Sequence, residues 1–373
     1  MSIFIKNYQA MKNFITAYPI IIFLMVICQI SQAQVQDFDS LYKNNEAFRS
    51  YFETTPDFKD LFISNDIMNI TIASDFKNLV KRKGKDEYQP ALFQYLMNDS
   101  ILLSRNITIR PRGMSRKNIC IFPPIKLNFS KKETVFKQLQ DFDKMKMVLD
   151  CRSNEAFEQY LLSEFLAYKL LNILTDYSYR VRLVRVTYVD TGAKYNTDTR
   201  YAFIMENENQ LAERLNAIPL DVKSIRDQFI EKTTLVNAYL FQYMIGNTDY
   251  SIPGDRNMLL IKSKDPVLTQ PFVIPFDFDL AGIVNASYAK PNLEANISNV
   301  RERYYMGICL PEADIKEGLK KFFEKKDEIY ALYQNTELLN KTTKQKTLSY
   351  LDEFYEIVGD ENRLESNIIQ SCR

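Results

Sequence analysis

The chain has 373 residues, of which 46% are hydrophobic and 25% are charged, and its formal net charge is +1. This composition is that of a globular protein large enough to bury a sizeable core, and the balanced charge gives no electrostatic reason to expect nucleic acid as a partner. The sequence contains no histidine, which excludes Ser-His-Asp catalysis, His-ligated zinc and an imidazole general base.

Proton transfer must therefore use Asp, Glu, Lys, Tyr or Cys. A metal site built from these residues would be rich in oxygen, which suits Mg²⁺, Mn²⁺ or Ca²⁺. The composition thus directs attention to carboxylates.

Residues 1–33 have the pattern of a secretory signal peptide. Two lysines precede an apolar run from Phe14 to Ile30, and small residues, Ser31 and Ala33, precede the predicted cleavage point. A membrane anchor is the alternative, but the run is short for a span and polar residues follow it. We therefore predict cleavage after Ala33 and a secreted or periplasmic protein without a stable transmembrane anchor.

Four cysteines follow the predicted signal peptide, namely Cys120, Cys151, Cys309 and Cys372. No CxxC spacing occurs, so zinc ribbons and thioredoxin-like redox chemistry have no support. In a compartment that permits disulfides, one or two structural bridges or buried thiols are expected, and three pairings are open.

The elements, taken in chain order, predict an α+β protein whose first half is rich in strands and whose second half is rich in helices. Segments with the alternation of strands are residues 67–74, 101–113, 123–129, 144–150, 180–190, 199–208, 257–263 and 271–277. Helical segments are short ones within 34–60 and at 75–83, then 155–174, 224–246 and most of the tail from 312. Gly246 suits a helix C-cap.

Polar side chains cluster where the helix at 224–246 ends and after the strand at 272–275. The segment GNTDYSIPGDRN presents Asn247, Asp249 and Asn257, and FDFDLAG presents Asp277 and Asp279. Phosphotransferases combine such groups, with one Asp near the acceptor hydroxyl and an Asn and an Asp that hold Mg²⁺ on the donor phosphates. A solvated loop with Asx turns is the alternative interpretation.

The first half supplies basic residues that could bind phosphate. The turn RPRGMSR, residues 110–116, can direct guanidinium and backbone N–H groups at phosphate oxygens, although it could also be a solvated strand edge. Its members are Arg110, Arg112, Gly113, Ser115 and Arg116. Lys126 and Lys146 are competing candidates for a lysine that contacts phosphate.

Glu164 falls in the middle of the apolar face of the helix at 155–174. A buried carboxylate needs a cationic partner, and Lys146 precedes it by the separation at which kinases form a Lys–Glu pair. The alternative is that the helix is half-exposed and Glu164 reaches water.

Several of these segments together resemble the CotH kinase family of spore-coat proteins, which are atypical secreted kinases. They are IRPRGMSRKNICIFPPIKLNF, the helix with Glu164, RYAFIMENE, and GNTDYS with the later RN and PFDFDLAG, over roughly residues 101–285. The resemblance implies nucleotide contacts from the basic turn, Lys126 and Glu206, catalysis by Asp249 and metal binding by Asp277. Arg116 and the insertion up to Pro123 depart from the shorter Ser-x-x-Pro-Lys run of that family.

The fold implied by this resemblance is a protein-kinase-like two-lobe fold. It would place a sheet-rich N-lobe at 101–208 and a helix-rich C-lobe at 209–373, after the signal peptide at 1–33 and an adapter region at 34–100. The implied function is phosphoryl transfer from ATP or another donor to a protein, glycan or other hydroxyl acceptor, with Mg²⁺ or Mn²⁺ held by Asn257, Asp277 and Asp279.

Two other functions stay open. A non-catalytic envelope binding protein could retain the same scaffold and bind nucleotide without turnover. An aspartyl-phosphate hydrolase is indicated by the Asp-x-Asp pair after an apolar strand, although the helical tail lacks the alternating strands that such a fold needs.

Overall fold

The computed structural model describes residues 35–54, 60–97, 101–113, 120, 122–129 and 144–373. The predicted signal peptide lies outside the described residues, and so do Ser115 and Arg116. Within the described ranges, no helix is long and apolar enough to cross a membrane.

The strands of the first half form one large mixed sheet. They are β1 (Val35–Asp37), β2 (Met68–Ser74), β3 (Gln89–Met97), β4 (Ile101–Pro111), β5 (Ile125–Phe129), β6 (Lys144–Leu149), β7 (Val181–Asp190) and β8 (Asp198–Met205). The order across the sheet is β1-β4-β3-β2-β7-β8-β6-β5, and β5 also pairs with β4. That last pairing closes seven strands, β2 to β8, into a barrel, while β1 lies parallel to β4 outside the ring.

A three-stranded sheet and a set of helices accompany the barrel. The small sheet consists of β9 (Ala217–Pro219), β10 (Met258–Ser263) and β11 (Phe272–Pro275). The helices are α1 (Phe38–Asn44), α2 (Glu46–Thr54), α3 (Phe76–Lys81), α4 (Glu155–Leu174), α5 (Glu208–Arg214), α6 (Lys232–Ile245), α7 (Glu312–Glu324), α8 (Lys326–Gln334), α9 (Lys341–Gly359) and α10 (Glu361–Leu364), with a 3₁₀ turn at Asp227–Phe229 and a π turn at Glu365–Ile369.

The predicted protein-kinase-like two-lobe fold is wrong. Most of the predicted helices and strands are present, but β3 was not predicted, and the strands close into a mixed barrel instead of forming the sheet of a kinase N-lobe. Closure depends on the parallel pairing of β2 with β7 and on the pairing of β4 with β5. The barrel therefore takes strands from both sides of residue 100, since β2 and β3 precede it. Periodicity reports which face of a strand is buried, whereas it does not report which distant strand lies beside it.

Two hydrophobic cores follow from the alternation along the barrel strands. One set of alternate residues fills the barrel interior, including Ile72, Ile109, Leu127, Met147 and Ile204. Residues of the opposite parity on β6, β7 and β8 belong to a second core with α4, α6 and the C-terminal helices, including Val148, Leu183, Phe203 and Met205. The outer wall of the barrel therefore packs against the helical half of the chain.

Two disulfides join the cysteines. Cys120 is bonded to Cys151 at the end of β6, and Cys309 is bonded to Cys372 beside the C-terminus. Bridges that close loops of this size typically contribute about 3–4 kcal/mol to stability, chiefly by restricting the unfolded chain.

Candidate functional site

A row of basic residues crosses the outer wall of the barrel. Arg110 on β4 is paired with Lys126 on β5, and Lys126 is paired with Lys146 on β6. Directly opposed residues point to the same face of a sheet, so these three cations are neighbours on the wall that faces the helical half. Burial, followed by the charges of Arg110 and Lys146, lowers the pKa of Lys126. Like charges in this arrangement repel each other, and an anion would relieve that repulsion.

The three cations of this row are compensated to different extents. Arg110 pairs with Asp86 at 3.0 Å, and Lys146 pairs with Glu208 at 2.5 Å. Within the described part of the chain, no carboxylate lies within ion-pair distance of Lys126. Lys126 is therefore the cation of the row with the greatest capacity to take up an anion.

The carboxylate that pairs with Lys146 is Glu208, at the start of α5, and not Glu164. Burial alone would raise the pKa of Glu208, but the charges of Lys146, Lys126 and Arg112 hold it below its usual range. Lys146 also lies 5.6 Å from the centre of the Phe276 ring, which places the basic row beside the end of β11. The kinase-type pairing of Lys146 with Glu164 is thus not formed.

Glu164 is buried, with 2% of its area exposed, on the inner face of α4. One turn further along α4, burial raises the pKa of the Tyr168 hydroxyl well above its usual range. The charges of Glu164 and Asp277 raise this pKa further, and Arg112 opposes them. Tyr168 is therefore surrounded by charged groups that come from α4, from the end of β4 and from the segment after β11.

The polar loop after α6 is held by its own side chains. Gly246 adopts the left-handed conformation that ends α6, with φ of +64°. The buried side chain of Asn247 donates to Gln242 at 3.0 Å, and its amide oxygen accepts the Asp249 N–H at 3.0 Å. Asn247 therefore fixes the backbone from which the Asp249 carboxylate projects.

Asp249, Asn257 and Asp277 come together, as the sequence predicts. The Asn257 amide nitrogen donates to the Asp249 carbonyl at 2.7 Å and to the Asp249 carboxylate at 3.0 Å. The Phe276 N–H donates to the Asn257 carbonyl at 3.0 Å, which fastens the end of β11 to the polar loop. The Asp277 N–H donates to the Tyr168 hydroxyl oxygen at 2.8 Å.

The two carboxylates of this group influence each other. Burial raises the pKa of Asp249, and the nearby Asp277 raises it further, while Arg256 and the Asn257 amide act in the opposite direction. The Arg256 Nε lies 3.4 Å from the Asp249 carboxylate. A cation placed between two neighbouring carboxylates would stabilise the charge of both.

The donor set fits a hard divalent cation. Among the described residues, no three carboxylate or thiolate side chains form a metal-binding group. Asp249 and Asp277 nevertheless offer two carboxylates, and the Asn257 amide oxygen is a third potential ligand because the amide nitrogen makes the bonds to Asp249. Mg²⁺ commonly uses one or two carboxylates and completes its shell with water and substrate phosphate.

Backbone conformation marks the same residues. Asn257 and Asp277 have φ of +56° and +64°, in the left-handed region that side chains other than glycine seldom occupy. Asn and Asp tolerate it best, at a cost of about 1 kcal/mol each. Such conformations concentrate at functional sites, where the surrounding structure holds them.

The remaining predicted residues lie at the edges of this site or outside it. Asp279 is buried two residues beyond Asp277. Gly113 follows β4 with φ of +82°, and Ser115 and Arg116 lie outside the described residues. Glu206 is fully buried and accepts hydrogen bonds from Arg180 and Arg214, so its oxygens are occupied by the protein itself.

Two residues of the site were not among the predicted site residues. Glu208 supplies the partner of Lys146, and Tyr168 links α4 to Asp277. The spacing of Glu164 and Tyr168 by one helical turn could have indicated that both face the same site. Nothing local distinguishes Glu208 from the other acids of its segment.

Comparison with known proteins finds no family model that matches this chain and no curated protein that matches it. The likeness to the CotH kinase family therefore rests on the motif residues alone. What those residues can do must be argued from their geometry.

Proposed function

We propose that the chain is a metal-dependent phosphotransferase that binds a nucleotide between the outer wall of the barrel and the Asp249–Asn257–Asp277 group. The observation that carries this proposal is the position of Lys126, which has no ion pair among the described residues, in a basic row whose end lies beside Phe276, one residue before Asp277. Phosphate groups require cations, and a metal ion requires carboxylates. This site supplies both in neighbouring positions.

The roles follow from the chemistry of each group. Lys126, with Arg110 and Arg112, would contact the phosphates, and Asp277 and Asn257 would hold Mg²⁺ or Mn²⁺, with Asp279 behind them. The metal ion would neutralise charge on the phosphates of the donor. Asp249 would orient the acceptor hydroxyl and accept its proton, since a chain without histidine must use a carboxylate for this task.

The raised pKa of Asp249 supports this role. Burial and the charge of Asp277 make the carboxylate a stronger base than an ordinary Asp. A general base is most effective when its pKa approaches the working pH. The acceptor class that we propose is a hydroxyl of a protein or a glycan, outside the cytoplasm.

A non-catalytic nucleotide-binding protein is the second candidate. The specific observation in its favour is Arg256, whose guanidinium lies 3.4 Å from the Asp249 carboxylate. An ion pair there would reduce the basicity of Asp249 and leave the site able to bind without turnover.

Thermal unfolding with MgATP and MnATP, with ADP formation measured in parallel, tests the proposal. A ligand at one hundred times its Kd raises the free energy of unfolding by about 2.7 kcal/mol. Lys126→Met and Asp277→Asn should each abolish most of this stabilisation. Lys262→Met, which removes an exposed lysine from β10, is the matched control and should retain it.

The outcomes separate the two candidates. Stabilisation with ADP formation supports the phosphotransferase, and stabilisation without ADP formation supports the binding protein. If millimolar ATP and GTP, each with Mg²⁺ or Mn²⁺, fail to stabilise the wild-type chain, both candidates are wrong.

A further inference from the structure

A cavity of about 350 Å³ lies at one end of the barrel, apart from the candidate site. It is bounded by the ends of β6 and β7, the start of β8 and the first residue of α3. None of its lining residues belongs to the Asp249–Asn257–Asp277 group or to the basic row. A volume of this order accommodates a small molecule.

Aromatic rings form much of the wall of this cavity. Phe76 contacts Tyr188 at 5.5 Å and Phe122 at 6.1 Å between ring centres, and Phe122 contacts Tyr195 at 5.0 Å. All three contacts are edge to face. Aromatic rings present a negative face that attracts cations. Arg200 lies 5.4 Å from the centre of the Phe122 ring and Lys194 lies 5.0 Å from that of Tyr195, and the rings of Phe76 and Tyr188 can take up a further cation.

One carboxylate in this cavity is poorly satisfied. Asp150 follows β6 and is 6% exposed, and its side-chain partner among the described residues is Arg200, at 3.5 Å. The same guanidinium makes a much closer contact, 2.6 Å, with Asp198. Burial, only partly offset by Arg200, raises the pKa of Asp150 to about 6. A buried carboxylate of this kind is stabilised by a further donor or cation.

The hydroxyl of Tyr188 is a further polar group that lines this cavity. It is buried, and within the described residues no hydrogen bond to it is formed. Burial raises the pKa of this hydroxyl well above its usual range, and the charges of Asp150 and Asp198 contribute. The Tyr188 hydroxyl therefore lies close enough to Asp150 to belong to the same polar pocket.

Hydrogen bonds within the protein hold this aromatic wall in place. The Asp190 carboxylate accepts hydrogen bonds from the backbone N–H groups of Phe76 at 2.8 Å, Gly192 at 3.0 Å, Lys194 at 2.9 Å and Tyr195 at 2.9 Å. One side chain thus fixes the start of α3 and the loop between β7 and β8. The rings of Phe76 and Tyr195 are therefore positioned before a ligand binds, which lowers the entropic cost of binding.

We propose that this cavity binds a small organic ammonium ion, whose nitrogen pairs with Asp150 and whose carbon atoms lie against the rings of Phe76, Phe122, Tyr188 and Tyr195. The charges of the lining favour this class. Asp150, Asp190 and Asp198 outnumber Arg200, so an anion would be repelled, and a neutral ligand would leave the charge of Asp150 balanced only by the distant Arg200.

Calorimetric titration of the whole chain with benzylamine, benzyl alcohol and benzoate tests this assignment near pH 7.5, where Asp150 is ionised. Benzylammonium should bind about tenfold or more tightly than benzyl alcohol, because a desolvated ion pair and ring contacts together supply at least the corresponding energy. Benzoate should not bind. Equal affinities for the amine and the alcohol, or binding by none of the three probes, would overturn the proposal.

Two substitutions locate the binding. Asp150→Asn preserves shape and should reduce benzylammonium affinity to that of benzyl alcohol, whereas Asp221→Asn, at an exposed acid outside the cavity, should leave it unchanged. Phe122→Leu keeps an apolar wall but removes a ring, and should lower the affinity for benzylammonium more than the affinity for benzyl alcohol. Unchanged amine binding in a folded Asp150→Asn variant would contradict the assignment.

Discussion

Glu206 and Asp249 are two acids of similar chemistry in different surroundings. Glu206 has no exposed area and accepts five hydrogen bonds, three from Arg180 and two from Arg214. The side chain of Asp249 is 33% exposed, and its side-chain contacts are the Asn257 amide and the more distant Arg256, itself 45% exposed. The first acid is saturated by the protein and stabilises the fold. The second has coordination capacity left for a proton, a hydroxyl or a cation.

The largest expected effect is on the saturated acid. Glu206→Gln should lower the free energy of unfolding by about 3 kcal/mol, because it removes the carboxylate partner of Arg214 and one of the two carboxylate partners of Arg180, the other being Asp60. Denaturant titration measures this. Glu213→Gln, at an exposed acid on the same helix α5, is the control and should change stability by less than about 0.5 kcal/mol. A loss below about 1 kcal/mol in the Glu206 variant would show that Glu206 does not stabilise the fold through its arginine partners.

Asp249→Asn should act on turnover instead of stability. If Asp249 is the general base of the proposed phosphotransferase, the substitution should lower the rate of ADP formation by about 100-fold, while stabilisation by MgATP changes little. The neutral side chain also removes a half-buried negative charge beside Asp277, so the free energy of unfolding should be retained. An equal loss of nucleotide binding and of turnover would instead make Asp249 a ligand of the nucleotide or the metal.

Asp150 is a third acid to compare with Glu206 and Asp249, because it is buried but accepts few hydrogen bonds. Its pKa is raised from 3.8 to about 6, so the folded state binds a proton more tightly than the unfolded state does. The stabilisation from that proton is complete below about pH 4 and is lost as the pH rises through 6. Asp150→Asn should therefore raise stability at pH 7 relative to wild type, by about 3 kcal/mol at most, and reduce the fall in stability between pH 4 and 7.

Thermal unfolding of both proteins across this pH range provides the measurement. The difference between variant and wild type should shrink at low pH, where Asp150 is protonated and resembles Asn. A variant that is less stable than wild type at every pH would mean that the Arg200 contact satisfies Asp150 as fully as the arginines satisfy Glu206.

The smallest expected effect concerns the charges around Asp249. Arg256 favours the ionised form of Asp249, so Arg256→Gln should move the acidic limb of the pH–rate profile to higher pH. The activity above that limb should be retained. Arg185→Gln, at an exposed arginine on β7, is the control and should leave the profile in place. A limb that stays in place in the Arg256 variant would mean that another group titrates there.

Much of the candidate site could be predicted from the sequence because its acids are close together along the chain. The helix that ends on Gly246, the loop with Asp249 and Asn257, and the β10–β11 hairpin that leads to Asp277 are consecutive, so their proximity follows from short turns. Helix α4 was predicted with the same bounds, since its apolar residues are continuous and Asn154 caps it.

Long-range pairing, by contrast, was decided only by the tertiary structure. The closure of the barrel requires β2 to lie beside β7 and β4 beside β5, and the alternation of a strand is the same whichever neighbour it has. The partner of Lys146 was decided in the same way. Glu164 has the spacing of a kinase pair, but Lys146 lies opposite Met205 on β8, three residues before Glu208, and this pairing brings Glu208 to the lysine. Local sequence therefore determined most of the helices and strands and the chemistry of their loops. Which distant strands pair, and which carboxylate pairs with Lys146, was determined by the packing of the whole chain.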